Sequence, residues 1–199
     1  MVHTTRIPPA EITGVKGVLI KWMIEKKLGK VPTAVGVYWH NPKVLFASFG
    51  LGGKVQKWDA CDESLKSFAH MAVASLVGCT WCLDFNYFMA KNQGLDLEKA
   101  REVPRWRESD VFTPLERLAM EYAEAMTETP PTVTDAMAAE LLEELGAAGL
   151  VELTSVIGFA NLTTRGNVAM GIESEGFAAA CGLKPLAQSG HRQQVASPA

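Results

Sequence analysis

The stretch from Asp62 to Asn92 constrains this chain more than any other. Leu65, Phe68, Ala69, Ala72, Val73 and Leu76 recur at steps of three and four residues, the period of a helix with an apolar face. Gly78 follows at once and predicts a left-handed C-cap that ends the helix. A second helix is expected from close to Cys79 to about Asn92, with Gly94 as its stop, and it carries Trp81, Phe85, Tyr87 and Phe88. Helix therefore precedes Cys79-x-x-Cys82 and helix follows it. That order excludes the βαβ setting of a thioredoxin-type motif.

The rest of the chain reads the same way. The segment GVLIKWMIEKKLGKVP mixes a short helical pattern with Gly29 and Pro32 as a stop, and Pro42 opens another. In that second segment Val44, Leu45, Ala47, Ser48 and Leu51 are expected to line one face, closed by Gly52 and Gly53. Thr113, Pro114 and Glu116 supply a capping residue, a proline at the first helical position and the acid of a capping box. Thr134 or Asp135 caps a helix that Gly146 ends. A last long helix from about Leu150 to Met170 begins almost wholly apolar and is expected to be buried. No alternating strand pattern of useful length occurs. The expected fold is all-α, one helical domain over residues 1–187 with a flexible tail over 188–199.

Composition narrows the class. The chain has 199 residues, 48% of them hydrophobic and 21% charged, which excludes a disordered or collagen-like chain. With 19 basic and 22 acidic residues no broad basic surface arises, so nucleic acid is not an expected partner. No run reaches the roughly 18 apolar residues of a membrane span, and the first residues lack the apolar core of a signal peptide. A cytoplasmic, reducing location is the default expectation. There a C-x-x-C points to redox or metal chemistry before a structural bridge. No glycine-rich phosphate loop, metal-spaced cluster or serine elbow appears, so no cofactor is expected.

Cys79 and Cys82 stand nearly one turn apart at a helix start, so both sulfurs share a face. Unpaired backbone N–H groups and the helix dipole stabilise a thiolate there, and a cysteine so placed can fall from about 8.5 to roughly 3.5–7.5 in pKa. On this argument alone Cys79, the more N-terminal thiol, is the nucleophile. Two other readings of the pair stay open. One is two small buried hydrophobes. The other is part of a zinc site with Cys61 and His70, whose spacing fits no finger pattern.

The segment LKSFAHMAVASLVGCTWCLDFNYFMA resembles the core of the carboxymuconolactone decarboxylase and AhpD-like alkylhydroperoxidase superfamily. The likeness extends from about Asn41 to Met170 and takes in Arg165 and Asn167. It implies an AhpD-like helical fold assembled as a homo-oligomer, a trimer or hexamer. It also implies a cysteine pair that reduces organic hydroperoxides, or exchanges with small disulfides, and is re-reduced by a dithiol protein or small thiol. Under the resemblance Cys82 attacks the peroxide and Cys79 resolves it. The family's histidine would fall at Asn86 and its glutamate at Ser67, so both groups of its proton relay are replaced. Asparagine cannot act as a base near neutral pH.

His70, three residues after Ser67, is the candidate replacement base, placed to overhang the pair; the alternative is a partly buried histidine bonded to a backbone carbonyl. Asp84 is a second candidate, about 200° from the sulfur face and expected at the surface or a subunit contact. Trp81, Phe85 and Phe88 are expected to pack as core or to wall an apolar pocket, Tyr87 to pack, and Arg165 to be satisfied on a helix surface. The function read from these residues is a thiol-dependent oxidoreductase. The alternatives are a redox sensor without turnover and a non-redox decarboxylase-like enzyme.

Overall fold

The helix predicted over 62–77 is the axis of the molecule. The computed structural model describes residues 5–188, so the tail expected over 188–199 lies, Gln188 excepted, outside the described residues. The elements run α1 (Gly14–Leu28), α2 (Thr33–Tyr38), α3 (Pro42–Val55), α4 (Glu63–Val77), α5 (Thr80–Asn92), α6 (Leu97–Glu102), a 3₁₀ turn (Val103–Glu108), α7 (Pro114–Thr127), α8 (Asp135–Met170) and α9 (Phe177–Ala180). No strand occurs among the described residues, and the fold is all-α as expected.

In α4 every residue from Met71 to Ser75 is buried, together with Leu65, Lys66, Phe68 and Ala69. A helix buried all round needs partners on every side, and α5, α7 and α8 supply them. Ala69, Ala72 and Ala74 carry so little side chain that neighbouring helices can approach closely. The main core gathers here, with Phe68, Met71, Met120, Leu141, Leu153 and Ile157 among its members. Phe68 meets Phe112 edge-on at 5.8 Å.

The capping box forms as read. The Glu116 amide donates to Thr113 Oγ1 at 3.2 Å, and Thr113 N–H donates to Glu116 Oε2 at 2.7 Å. Helix α8 starts under a Thr134 cap and is broken at Gly146 (φ 68°, ψ 172°), where the sequence predicts a stop, but it resumes at once rather than at Leu150. The expectation that its apolar start is buried needs correction. Leu153, Val156, Ile157 and Ala160 face the core, while Val151 and Leu162 stand 66% and 59% exposed. By length and composition α8 would pass for a membrane span, but its inward face is packed on α4 and α7 as a core helix.

Helix α3 departs from its reading as well. It runs through Gly52 and Gly53 to Val55, and only Leu45 and Val55 are buried; Val44, Phe46, Phe49 and Leu51 are exposed. The run Val44–Gly53 has no charged residue and a single hydroxyl, Ser48, so it carries little periodicity from which to choose an inner face. The N-terminal helices form their own small cluster of Ile20, Val35 and Leu45. Ala34 and Val37 of α2 meet Ile172 beyond α8.

One buried ion pair fastens the loop before α4. Lys66 Nζ lies 3.0 Å from Glu152 Oε1 and donates to the Trp58 carbonyl, while Glu152 also accepts the backbone N–H groups of Ala60 (2.8 Å) and Cys61 (3.3 Å). Burial opposes both charges, but these bonds outweigh it. They hold the Lys66 pKa above, and the Glu152 pKa below, the ordinary value.

Candidate functional site

Gly78 adopts the left-handed conformation (φ 78°, ψ 26°) and turns α4 into α5 within one residue. Cys79 is thereby the N-cap of α5. Its Sγ accepts the backbone N–H of Cys82 at 3.3 Å, one of the donors a helix start leaves unpaired. The two cysteines are joined as a disulfide with Cα atoms 5.3 Å apart. Both are buried, and they pack with Ala74 of α4.

Cys82 also meets a group from far along the chain. Asn167 of α8 points its Nδ2 at Cys82 Sγ, 3.4 Å away, and its Oδ1 accepts from Tyr38 Oη at 3.4 Å. A cleft of about 460 Å³ opens beside the pair, lined by Gly78 and Thr80, the neighbours of Cys79, and by Arg6, Val168, Ile172 and Ser174 among others. Arg6 is tied to the carbonyls of Val168 and Ala169 at 2.8 and 2.6 Å.

The other candidates fall in different places. Asn86, at the family's histidine position, donates to the Cys82 carbonyl at 2.7 Å rather than to a sulfur. Ser67 is half-buried on α4 and bonds neither cysteine. His70 lies one turn before Ala74, half-buried, with its ring edge-on to Phe159 at 6.5 Å. It makes no hydrogen bond to either sulfur, and burial pushes its pKa down to about 4. The ring is therefore neutral at neutral pH, and a weak base.

Asp84 is not at the surface. It is buried and accepts Ser174 Oγ (2.8 Å), Phe177 N–H (2.9 Å) and Ala178 N–H (2.8 Å), so it docks the C-terminal segment on α5. Trp81 stacks on Phe85 at 4.8 Å and donates to Glu175 Oε1 at 3.3 Å. Phe177 closes on Phe85 and Phe88 at 5.7 and 5.9 Å, so these rings pack with one another and none lines the cleft. Tyr87 is core. Arg165 bonds Asn161 Oδ1 and the Thr127 carbonyl on the helix surface. Cys61 and His70 do not join the pair in a ligand set; no group of three or more His, Cys, Asp or Glu side chains placed to hold a metal occurs among the described residues. Sequence reading missed the contact of Asn167 with Cys82 and the part of Tyr38 in it, because 85 and 129 residues separate the partners.

These features define an all-α domain built around a cysteine pair at a helix N-terminus. The profile of the carboxymuconolactone decarboxylase family matches residues 42–125, from α3 into α7. YnjA of Escherichia coli (strain K12) is 33% identical over 156 residues, 78% of this chain and 86% of YnjA. The chain belongs to the carboxymuconolactone decarboxylase family. Among solved structures, the debrominase Bmp8 superposes with a TM-score of 0.76 at 21% identity, covering 88% of this chain and 95% of that one. The AhpD-core peroxidase-related protein of Ralstonia eutropha JMP134 gives 0.75 at 18%, covering 89% and 97%.

Proposed function

We propose that the chain is a dithiol oxidoreductase that reduces organic hydroperoxides at Cys82, with Cys79 as the resolving thiol. The observation that carries the reading is a buried Cys79–Cys82 pair at disulfide distance, with each sulfur facing its own N–H donor. The Cys82 thiolate attacks the outer peroxide oxygen, the O–O bond breaks, and the alkoxide takes a proton to leave as alcohol. The Cys79 thiolate then attacks the Cys82 sulfenic acid, and hydroxide leaves and is protonated to water. The sum is hydroperoxide plus dithiol giving alcohol, water and disulfide. An external dithiol protein or small thiol returns the pair to thiols. The cleft beside Cys79 is its approach, and the reading supposes a reducing, cytoplasmic setting. A small disulfide entering by exchange would meet the same thiols.

The protein acts as a homo-oligomer in this reading. The run Val44–Gly53 has no charged residue, its Phe46 and Phe49 are exposed beside Ala47, Gly50 and Gly53, and Gly52 seats against Phe159 of α8. Knobs and holes on one surface are what a self-complementary contact between copies requires. Phe49→Glu is expected to lower the assembled mass in light scattering.

The test is turnover. Reduced protein treated with one equivalent of an organic hydroperoxide should lose two thiols and gain a 79–82 disulfide. In excess dithiol it should consume further equivalents. Cys82→Ser should abolish consumption, and Cys79→Ser should stop it after one event. A disulfide without turnover identifies the sensor; no reaction at either cysteine leaves the non-redox, decarboxylase-like reading. A structural neighbour is a debrominase, one cysteine variant of which binds 2,3,4-tribromopyrrole, so that bromide is the second electrophile to offer.

A further inference from the structure

We propose that Asn167 is the thiolate-stabilising donor of Cys82 and that Tyr38 is the positioning residue that fixes it. The proposal rests on Cys82 working as a thiol, as set out above. Asn167 is 5% exposed, and its side-chain amide has two partners, Cys82 Sγ on Nδ2 and Tyr38 Oη on Oδ1, each at 3.4 Å. A buried amide without partners is costly, so the sulfur has to serve as an acceptor. A disulfide or thiol sulfur accepts weakly, whereas a thiolate accepts a charge-assisted bond. The contact therefore gains most in the reduced, deprotonated state. It favours the form of Cys82 that attacks.

Tyr38 decides which end of the amide faces the sulfur. Burial raises the pKa of its phenol, which stays a donor across the working range and holds Oδ1 away from Cys82. A flipped amide would set its oxygen against the thiolate. The room for the phenol comes from Gly166, where an added Cβ would stand 2.9 Å from Tyr38 Oη. Glycine inside a helix is disfavoured against alanine, and this clearance is what the position gains.

The two sulfurs are served differently. Cys79, as N-cap, has a backbone donor from its own helix. Cys82 is the third residue of α5 and its own N–H is taken by Cys79 Sγ, so the donor to its sulfur comes from another helix. The groups the family would place nearby do not supply it. Asn86 is spent on the Cys82 carbonyl, and Ser67 reaches neither sulfur. Helices α2 and α8, which flank the α4–α5 pair in sequence, close over it with the anchor.

The experiment titrates the Cys82 thiolate by its ultraviolet absorbance in a Cys79→Ser background. The Cys79→Ser/Cys82→Ser protein is subtracted to remove Cys61 and Cys181, and circular dichroism establishes folding. Asn167→Leu should raise the midpoint by about one pH unit, a tenfold loss of thiolate below it. Asn167→Asp should raise it further, because a carboxylate then faces the sulfur. Tyr38→Phe should shift it in the same direction by less. Unchanged midpoints in Asn167→Leu and Asn167→Asp overturn the proposal. If neither folds, the near-isosteric Tyr38→Phe decides it, an unmoved midpoint counting against. The titration uses no hydroperoxide. A shift in a protein that fails to turn over removes the peroxidase reading alone, and turnover without a shift removes the anchor alone.

Discussion

His70 makes a prediction about stability that follows from its surroundings. Its ring is half-buried against Phe159 without a hydrogen-bond partner, and burial lowers its pKa from an ordinary 6.5 to about 4. Unfolding returns the ring to water and to the ordinary value. The unfolded chain then binds a proton that the folded chain refuses whenever the pH lies between the two. Stability from the neutral ring is full above about pH 6.5 and is lost as pH falls toward about 4. At 1.36 kcal/mol per pH unit the gap is worth roughly 3 kcal/mol, and partial access of water to the ring brings it to about 2.

The assay is urea unfolding of the wild type and of His70→Gln across about pH 7 to about pH 4.5. Carboxylates titrate in the lower part of this range in both proteins and cancel in the difference. Gln carries no titrating proton, so any cost of placing it in the core is the same at every pH. The wild type should lose about 2 kcal/mol relative to His70→Gln over the range. A difference constant within about 0.5 kcal/mol would refute the argument that burial holds this ring neutral. The same result would reopen His70 as a base of ordinary strength near the pair.

Three further outcomes follow from the buried polar groups. Glu152→Gln should cost about 3 kcal/mol in urea unfolding, the low end for a broken buried pair, because Glu63 and the Trp58 carbonyl still hold Lys66. Cys61, whose pKa is pushed up to about 11 by burial and then by Glu152, should resist alkylation of the native protein near pH 8. Asp84→Ala strands two buried backbone N–H groups at about 1–3 kcal/mol each, so the segment after Met170 should become the first site of limited proteolysis.

What could be read ahead was what neighbours in sequence decide. The α4 stripe, the left-handed Gly78, the Cys79 cap and the Thr113–Glu116 box each need only residues within a few positions, and each stands where it was expected. The misreadings are of contacts. Asp84 lies off the sulfur face, as its helical angle requires, but that face is covered by a segment some 90 residues on, so a carboxylate expected in water is buried under backbone donors. The α3 run shows its apolar character plainly, while which of its residues are covered depends on α1, α2 and α8.

The same distinction bears on the proton and thiolate chemistry of the site. A relay built from a glutamate on α4 and a histidine on α5 can be sought by counting from the cysteines, and here the count finds Ser67 and Asn86. That empties the two positions without emptying the site. The disulfide is reached by α2 and α8 through Tyr38 and Asn167, which no local spacing links to Cys82. An amide can hold a thiolate but cannot carry its proton away, and His70, neutral with a pKa of about 4, is a reluctant carrier. The proposed hydroperoxide cycle should therefore be fast in thiolate attack and slow in protonating what leaves. Alkoxides of low basicity need that proton least, so hydroperoxides with acidic leaving alcohols should turn over faster than simple alkyl ones. Equal rates across a series of leaving-group pKa would show that a proton donor beyond these residues serves the site.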